Sequence, residues 1–295
     1  MHKAVVALLL VASLLHAAPA DAWGFAGHRL IMRRALELLP AELKPFFDQY
    51  REEVIIRSVD PDLWRSVGWE DDPNHFLDFG VSEYGKEPFA ALPRDYDAAL
   101  QKFGSAVLKR NGLLPWRAAE EFGNLRRAFE GFARGSLYAI SDVILFSGVT
   151  AHYFQDAHQP LHATDNFDGA QTRNNGIHAR FERDLIERFE SRLNLRPPPP
   201  TAIANPRDAA FDLLIDSHRL VAGILEADDA AKNGKDAYDD DYFEKLFVRV
   251  QPTLERQLSR SISATAGAII GAWEAAGRPK PALRDARPVQ RIRRP

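Results

Sequence analysis

The sequence contains no cysteine. Disulfides and thiolate metal sites are therefore excluded, and the fold must be held by its apolar core and by any metal that imidazole and carboxylate groups can bind. Strand-like alternation of any length is absent too, as are internal repeats, a nucleotide-binding glycine loop and a Gly-x-Ser-x-Gly motif. These absences argue against β-rich folds, repeat arrays, nucleotide-dependent enzymes and serine hydrolases of that type. The amino-terminal apolar run, Ala4 to Leu15, is too short to span a membrane. What remains, 45% hydrophobic and 27% charged over 295 residues, is ordinary globular material able to bury a substantial core.

The segment MHKAVVALLLVASLLHAAPADAW joins a basic residue, that apolar run and small residues at Ala20 and Ala22 around Asp21. This pattern predicts a signal peptide over 1–22, with Trp23 as the first mature residue and a periplasmic or secreted protein. The formal charge of −3 conceals an asymmetry, because the tail after Gly277, RPKPALRDARPVQRIRRP, carries seven basic residues against one acidic. The body is thus acidic, which disfavours a broad electrostatic footprint for nucleic acid. The tail, 278–295, is expected to be disordered and able to touch anionic surfaces.

Helical spacing of apolar residues is evident in HRLIMRRALELL, from His28, with Pro40 as its stop, and a second helix is predicted over Ala41 to Tyr50. Residues 57–96, rich in proline and glycine, are expected to form an irregular excursion. Helices follow near 96–110, 115–133, 137–160, 177–193, 207–227 and 242–276. The Pro197–Pro200 run makes a stiff connection, and the acidic stretch DDAAKNGKDAYDDD a solvated turn. The expected fold is all-α, a single multi-helix domain over 23–277.

One stretch concentrates potential metal ligands. His152 and Asp156 are four apart within the apolar run ILFSGVTAHYF, so a helix projects both from one face. Pro160 ends that helix and His162 follows. His178 and Glu182 repeat the spacing at the start of another helix. Two helices, each offering an imidazole and a carboxylate one turn apart, can build a metal centre in a helical core. Upstream, WGFAGH sets His28 five residues from Trp23, whose amine and carbonyl can chelate one cation once Trp23 is terminal. SVDPDLWR offers Asp60 and Asp62, and NHFLDFG offers His75 beside Phe76 and Asp78. His158 faces away from the ligand side of its helix, and His218 has no partner motif.

Taken together, these motifs resemble the zinc-dependent phospholipases C and the mung-bean-type single-strand-specific nucleases, from Trp23 to about Glu182. The resemblance implies three zinc ions: one held by Asp62, His75, His152 and Asp156, one by His162, His178 and Glu182, and one by the Trp23 amine and carbonyl, His28 and the other oxygen of Asp156. Asp62 is preferred over Asp60 because Pro-Asp and Asp62-x-x-Arg65 both match. It further implies hydroxide bridging two of the metals as the nucleophile at phosphorus, Arg65 as a transition-state charge stabiliser, and Phe76 and Asp78 as substrate contacts. Trp-Gly-x-x-Gly-His, Asp62-x-x-Arg65 and Gln159-Pro160-Leu161-His162 are similar to the nucleases. Glu182 as last ligand and the short loop between His162 and His178 are similar to the phospholipases. The preferred expectation is a phosphodiester hydrolase of phospholipase C type acting on a phospholipid head group. A single-strand-specific endonuclease or 3'-nucleotidase is the alternative, and a non-catalytic secreted zinc-binding protein a further one. No obligate protein partner is implied.

Overall fold

A computed structural model of the chain describes residues 23–234 and 237–284. The expected signal peptide, 1–22, and most of the basic tail, from 285 onward, lie outside them. Every regular element among the described residues is helical. The chain runs through α1 (Gly24–Ala35), α2 (Lys44–Gln49), α3 (Arg51–Arg57), α4 (Asp60–Ser66), α5 (Tyr96–Phe103), α6 (Ser105–Asn111), α7 (Leu114–Arg134) and α8 (Ala139–Asp156). After a loop come α9 (Ile177–Ala179), α10 (Leu185–Phe189), α11 (Pro206–His218), α12 (Val221–Lys232) and α13 (Asp240–Ala275).

Helix α8 is the axis of the structure. Its sequence lacks a polar stripe, and such a helix must be enclosed by others. Here α1, α3, α4, α7 and α13 all pack against it, and every residue from Ser147 to Asp156 is buried. The main core includes Phe46, Phe47, Phe129, Phe154, Phe181 and Leu258, and burying each such side chain contributes about 1.5–3 kcal/mol. A smaller cluster, with Leu77, Phe79, Tyr84, Phe89 and Phe211, fastens the irregular segment between α4 and α5 onto the bundle.

The structure departs from the sequence-based expectations in several places, among them the helix expected over 207–227, which is broken into α11 and α12. The supposedly irregular excursion opens with α4, because Pro61 suits a first helical turn and the acidic Asp60 and Asp62 favour its positive end. Gly104, with φ 76°, splits the helix expected over 96–110. The helix predicted over 177–193 contains a π-helical turn, Arg180–Asp184, between α9 and α10. The wider turn permits three consecutive residues, Arg180, Phe181 and Glu182, to be buried. Finally, the acidic stretch is not wholly solvated: Asp228 is buried on α12, where it accepts hydrogen bonds from Asn174, Arg180 and Tyr242.

Close approach of α3 to α8 depends on Gly148, where a Cβ would sit 2.4 Å from the Arg57 Cβ and 2.6 Å from its carbonyl carbon. Backbone cannot yield as a flexible side chain does. The Gly148→Ala variant is expected to lose about 1–3 kcal/mol of stability in denaturant unfolding. Wild-type stability would contradict this account of the contact.

Candidate metal centre

Three elements bring the first group of ligands together. The last turns of α8 supply His152 and Asp156, α4 supplies Asp62, and a short 3₁₀ turn, Asp72–His75, supplies His75. His75 Nδ1 lies 3.0 Å from Asp156 Oδ2 and 3.0 Å from His152 Nε2, and His152 Nε2 lies 3.2 Å from the same carboxylate oxygen. Asp62 Oδ1 stands 3.7 Å from His75 Nδ1 and 3.8 Å from His152 Nε2. Tetrahedral zinc with ligands at 2.0–2.1 Å spaces their atoms roughly 3.3 Å apart, so these separations suit one ion. Asp60, the other early carboxylate, instead accepts from Arg57 at 3.0 Å and belongs to none of the ligand groups.

Helix α1 adds His28, whose ring stacks on that of His152 with centroids 4.2 Å apart. Its Nε2 lies 3.5 Å from Asp156 Oδ1. Asp156 thus turns one oxygen to His75 and His152 and the other to His28. A further group forms where His178 Nε2 meets Glu182 Oε2 at 2.9 Å and His162 Nε2 at 3.1 Å. His162 reaches this point on a 3₁₀ turn, Pro160–Ala163, whose start is capped by the Gln159 side chain accepting from Leu161 N–H at 2.7 Å. Trp23 is buried at the start of α1. Its backbone N donates to Glu182 Oε2 at 3.2 Å, and its carbonyl accepts from Gly27 N–H at 3.1 Å. Three groups result among the described residues, with ligand atoms in each within 4.8 Å: His28, His152 and Asp156; Asp62, His75 and His152; and His162, His178 and Glu182.

The supporting groups were not identified from sequence. His28 Nδ1 meets Gln155 Oε1 at 2.5 Å, His75 Nε2 meets Asp71 Oδ2 at 3.0 Å, and His152 Nδ1 donates to the Ser58 carbonyl at 2.9 Å. Each contact fixes one ring nitrogen and turns the other toward the shared centre. Asp71 also accepts from the Tyr153 hydroxyl at 2.8 Å. Its four-residue spacing from His75 was a usable signal, hidden in a proline-rich stretch. Arg180 points away from the centre, donating to the Tyr242 hydroxyl at 2.8 Å and to Asp228 at 3.1 Å, and so anchors the turn that presents His178 and Glu182.

Electrostatics match a cation-binding role. Burial and the neighbouring His152 push His28 down to about 3, leaving it a neutral imidazole. Burial drives Asp62 up to about 7. For Asp156, burial is outweighed by His152 and His75, which hold it well below the usual carboxylate range. His28 Nε2, both Asp62 oxygens, Asp156 Oδ1, His162 Nδ1 and Glu182 Oε1 are buried without a hydrogen-bond partner. Unsatisfied buried acceptors are costly and rare, and this donor set, all imidazole and carboxylate, fits zinc.

A cavity of about 380 Å³ opens beside these ligands, its wall including His75, His162 and His178 together with Arg65, Phe76 and Asp78. Arg65 bonds Asp72 and lies 3.6 Å from Asp62 Oδ1. Burial, reinforced by Asp165, pushes Asp78 up to about 8, so it is largely protonated at neutral pH. Phe167 and Arg110 also line the cavity, and no sequence motif had marked them. His158 is buried, donates from Nδ1 to the Phe154 carbonyl at 2.8 Å and joins no ligand group. His218 is bound at Nδ1 to the Ala163 carbonyl at 2.7 Å.

The family model for zinc-dependent phospholipase C matches residues 27–258, a span that contains every proposed ligand except Trp23. No curated protein matches the chain. Because bound zinc offsets the repulsion and desolvation of the buried carboxylates, removing it by chelation is expected to lower the melting temperature by more than about 10 °C. Restoring zinc should reverse the loss. An unchanged melting curve for protein shown to be metal-loaded beforehand would contradict the assignment.

Proposed function

Because the chain belongs to the zinc-dependent phospholipase C family, we propose that it hydrolyses the phosphodiester of a phospholipid, with water attacking phosphorus, diacylglycerol leaving and the phosphorylated head group released. The observation that carries this reading is that candidate ligand residues form part of a cavity wall, since His75, His162 and His178 belong both to the ligand groups and to the cavity lining. Asp62, His75, His152 and Asp156 would hold one zinc, His162, His178 and Glu182 a second, and Trp23, His28 and Asp156 a third. Bound zinc supplies Lewis acidity, activating water near neutral pH and neutralising charge on the phosphodiester.

The remaining roles fall to the chain's own side chains. Arg65, oriented by Asp72 and Asp62, presents guanidinium N–H groups to the non-bridging phosphate oxygens as charge develops on them. Asp78, kept protonated by burial, offers an O–H donor. Phe76, Leu161 and Phe167 give the cavity an apolar side for the lipid part of the substrate. Among the described residues no helix is long and apolar enough to cross a membrane. Export is proposed on the leader-like segment before Trp23, whose removal would turn its backbone nitrogen into a ligating amine.

A second reading, cleavage of single-stranded nucleic acid, is favoured by one observation: Phe76 and Asp78 share the cavity wall, so the ring can stack on a base while the carboxyl bonds its edge. A non-catalytic role is disfavoured because three of the candidate ligands, His75, His162 and His178, line a cavity. The test is an assay pair on zinc-loaded protein beginning at Trp23. Phosphatidylcholine hydrolysis without cleavage of single-stranded DNA or RNA is expected. The opposite pattern would establish the nuclease reading, and activity on neither, with zinc bound, the non-catalytic one.

A further inference from the structure

Between the end of α4 and the 3₁₀ turn that carries His75, the chain makes a short excursion into solvent. Its two ends, Arg65 and Asp72, both line the cavity and are joined directly by an ion pair. The apex of the excursion therefore stands at the cavity's rim. On it Val67 is 71% exposed and Trp69 62% exposed, with Leu63, 41% exposed, one turn back on α4. Trp69 is held in that position. Its N–H donates to the Trp64 carbonyl at 3.1 Å, and its ring leans on that of Trp64, centroids 5.7 Å apart. Trp64 in turn packs against the main core. Phe167, 49% exposed, stands on another part of the same cavity wall, edge-on to His178.

The cations around this rim are each paired with a carboxylate. Lys109 pairs with Glu70 at 3.3 Å, Arg110 with Glu83 at 3.0 Å, and Arg65 with Asp72. Large apolar side chains exposed together beside a cavity mark an interaction surface rather than ordinary surface scatter. A polyanion such as nucleic acid would call for an excess of cations there, whereas a rim without unpaired cations, bearing indole and aliphatic groups, complements an interface of no net charge.

We propose that the rim formed by Leu63, Val67 and Trp69 docks on the surface of a zwitterionic phospholipid bilayer. Trp69 and Val67 enter the head-group layer, where the amphipathic indole is favoured, and the cavity mouth is brought against the lipid. This inference rests on the phospholipase reading of the site. It adds that the enzyme meets its substrate at an interface, through apolar contacts and not through attraction to anionic lipid.

The test compares the zinc-loaded wild type with Trp69→Ala and, separately, Val67→Asp, whose exposed position leaves folding intact. Two readouts are used: co-sedimentation with phosphatidylcholine vesicles at low and high salt, and hydrolysis of a short-chain phosphatidylcholine below its micellar concentration. Wild type is expected to bind vesicles equally at both salt concentrations. Each variant should lose roughly tenfold in vesicle partitioning and keep its rate on the monomeric substrate. Undiminished vesicle binding by both variants, or wild-type binding abolished by salt, would overturn the proposal. So would an equal loss on the monomeric substrate, because the segment would then serve the catalytic site itself. Vesicle binding that depends on Trp69 without hydrolysis of either substrate would uphold the docking surface and remove the phospholipase reading. Monomer hydrolysis with no Trp69-dependent binding would do the reverse.

Discussion

Three carboxylates and five imidazoles converge inside a helical core, and the structure depends on how that concentration of buried acceptors is neutralised. Asp62, Asp156 and Glu182 are buried with oxygens that no N–H or O–H group reaches. Removing a carboxylate from water costs several kcal/mol even after relaxation, roughly, and mutual attraction with protein cations rarely recovers it. Among the described residues, Arg65 is the one arginine or lysine that approaches Asp62 closely. A set of divalent cations would resolve the imbalance, and the neutral state of His28 is the form in which an imidazole can share its lone pair with one.

Much of the architecture can be understood as holding that arrangement still. The second half of helix α8 is enclosed on all sides, which fixes His152 and Asp156 relative to the core, and Gly148 lets α3 come close enough for the Ser58 carbonyl to orient the His152 ring. Gln155, one residue before Asp156, reaches His28 on α1. On the far side, Arg180 draws the π-helical turn against Asp228 and Tyr242 so that His178 and Glu182 face inward. The substrate-facing wall is built differently, from the irregular segment after α4, whose own small apolar cluster supports it. Helices thus carry most of the candidate ligands, two 3₁₀ turns add His75 and His162, and the irregular segment shapes much of the cavity and its rim.

The residues that the structure gathers into candidate ligand groups were legible in the sequence because each motif couples residue type to spacing: His152 with Asp156 and His178 with Glu182 are one helical turn apart, and His75 and His28 sit in short patterned segments. The long apolar helices were legible for the same reason. What escaped notice has no comparable signature. Asp71, Gln155 and the Ser58 carbonyl support the imidazoles through tertiary contacts that any polar group might have made. Helix α4 was masked by proline and glycine around it, although Pro61 and two early acidic residues are a helix start. The choice between Asp60 and Asp62 needed coordinates, since only they separate a carboxylate held by Arg57 from one directed into the centre. The role proposed for Trp69 rests on its exposure beside the cavity, which composition does not encode.

The central claim is that these buried groups hold zinc at three places, two of them meeting at Asp156, whose oxygens turn to His28 on one side and to His75 and His152 on the other. The most direct measurement is anomalous X-ray scattering at the zinc edge from crystals of the protein beginning at Trp23. The account predicts three peaks: one among Asp62, His75, His152 and Asp156, one among His162, His178 and Glu182, and one beside His28 and Asp156. Crystals grown with zinc that show no peak among these residues would contradict it.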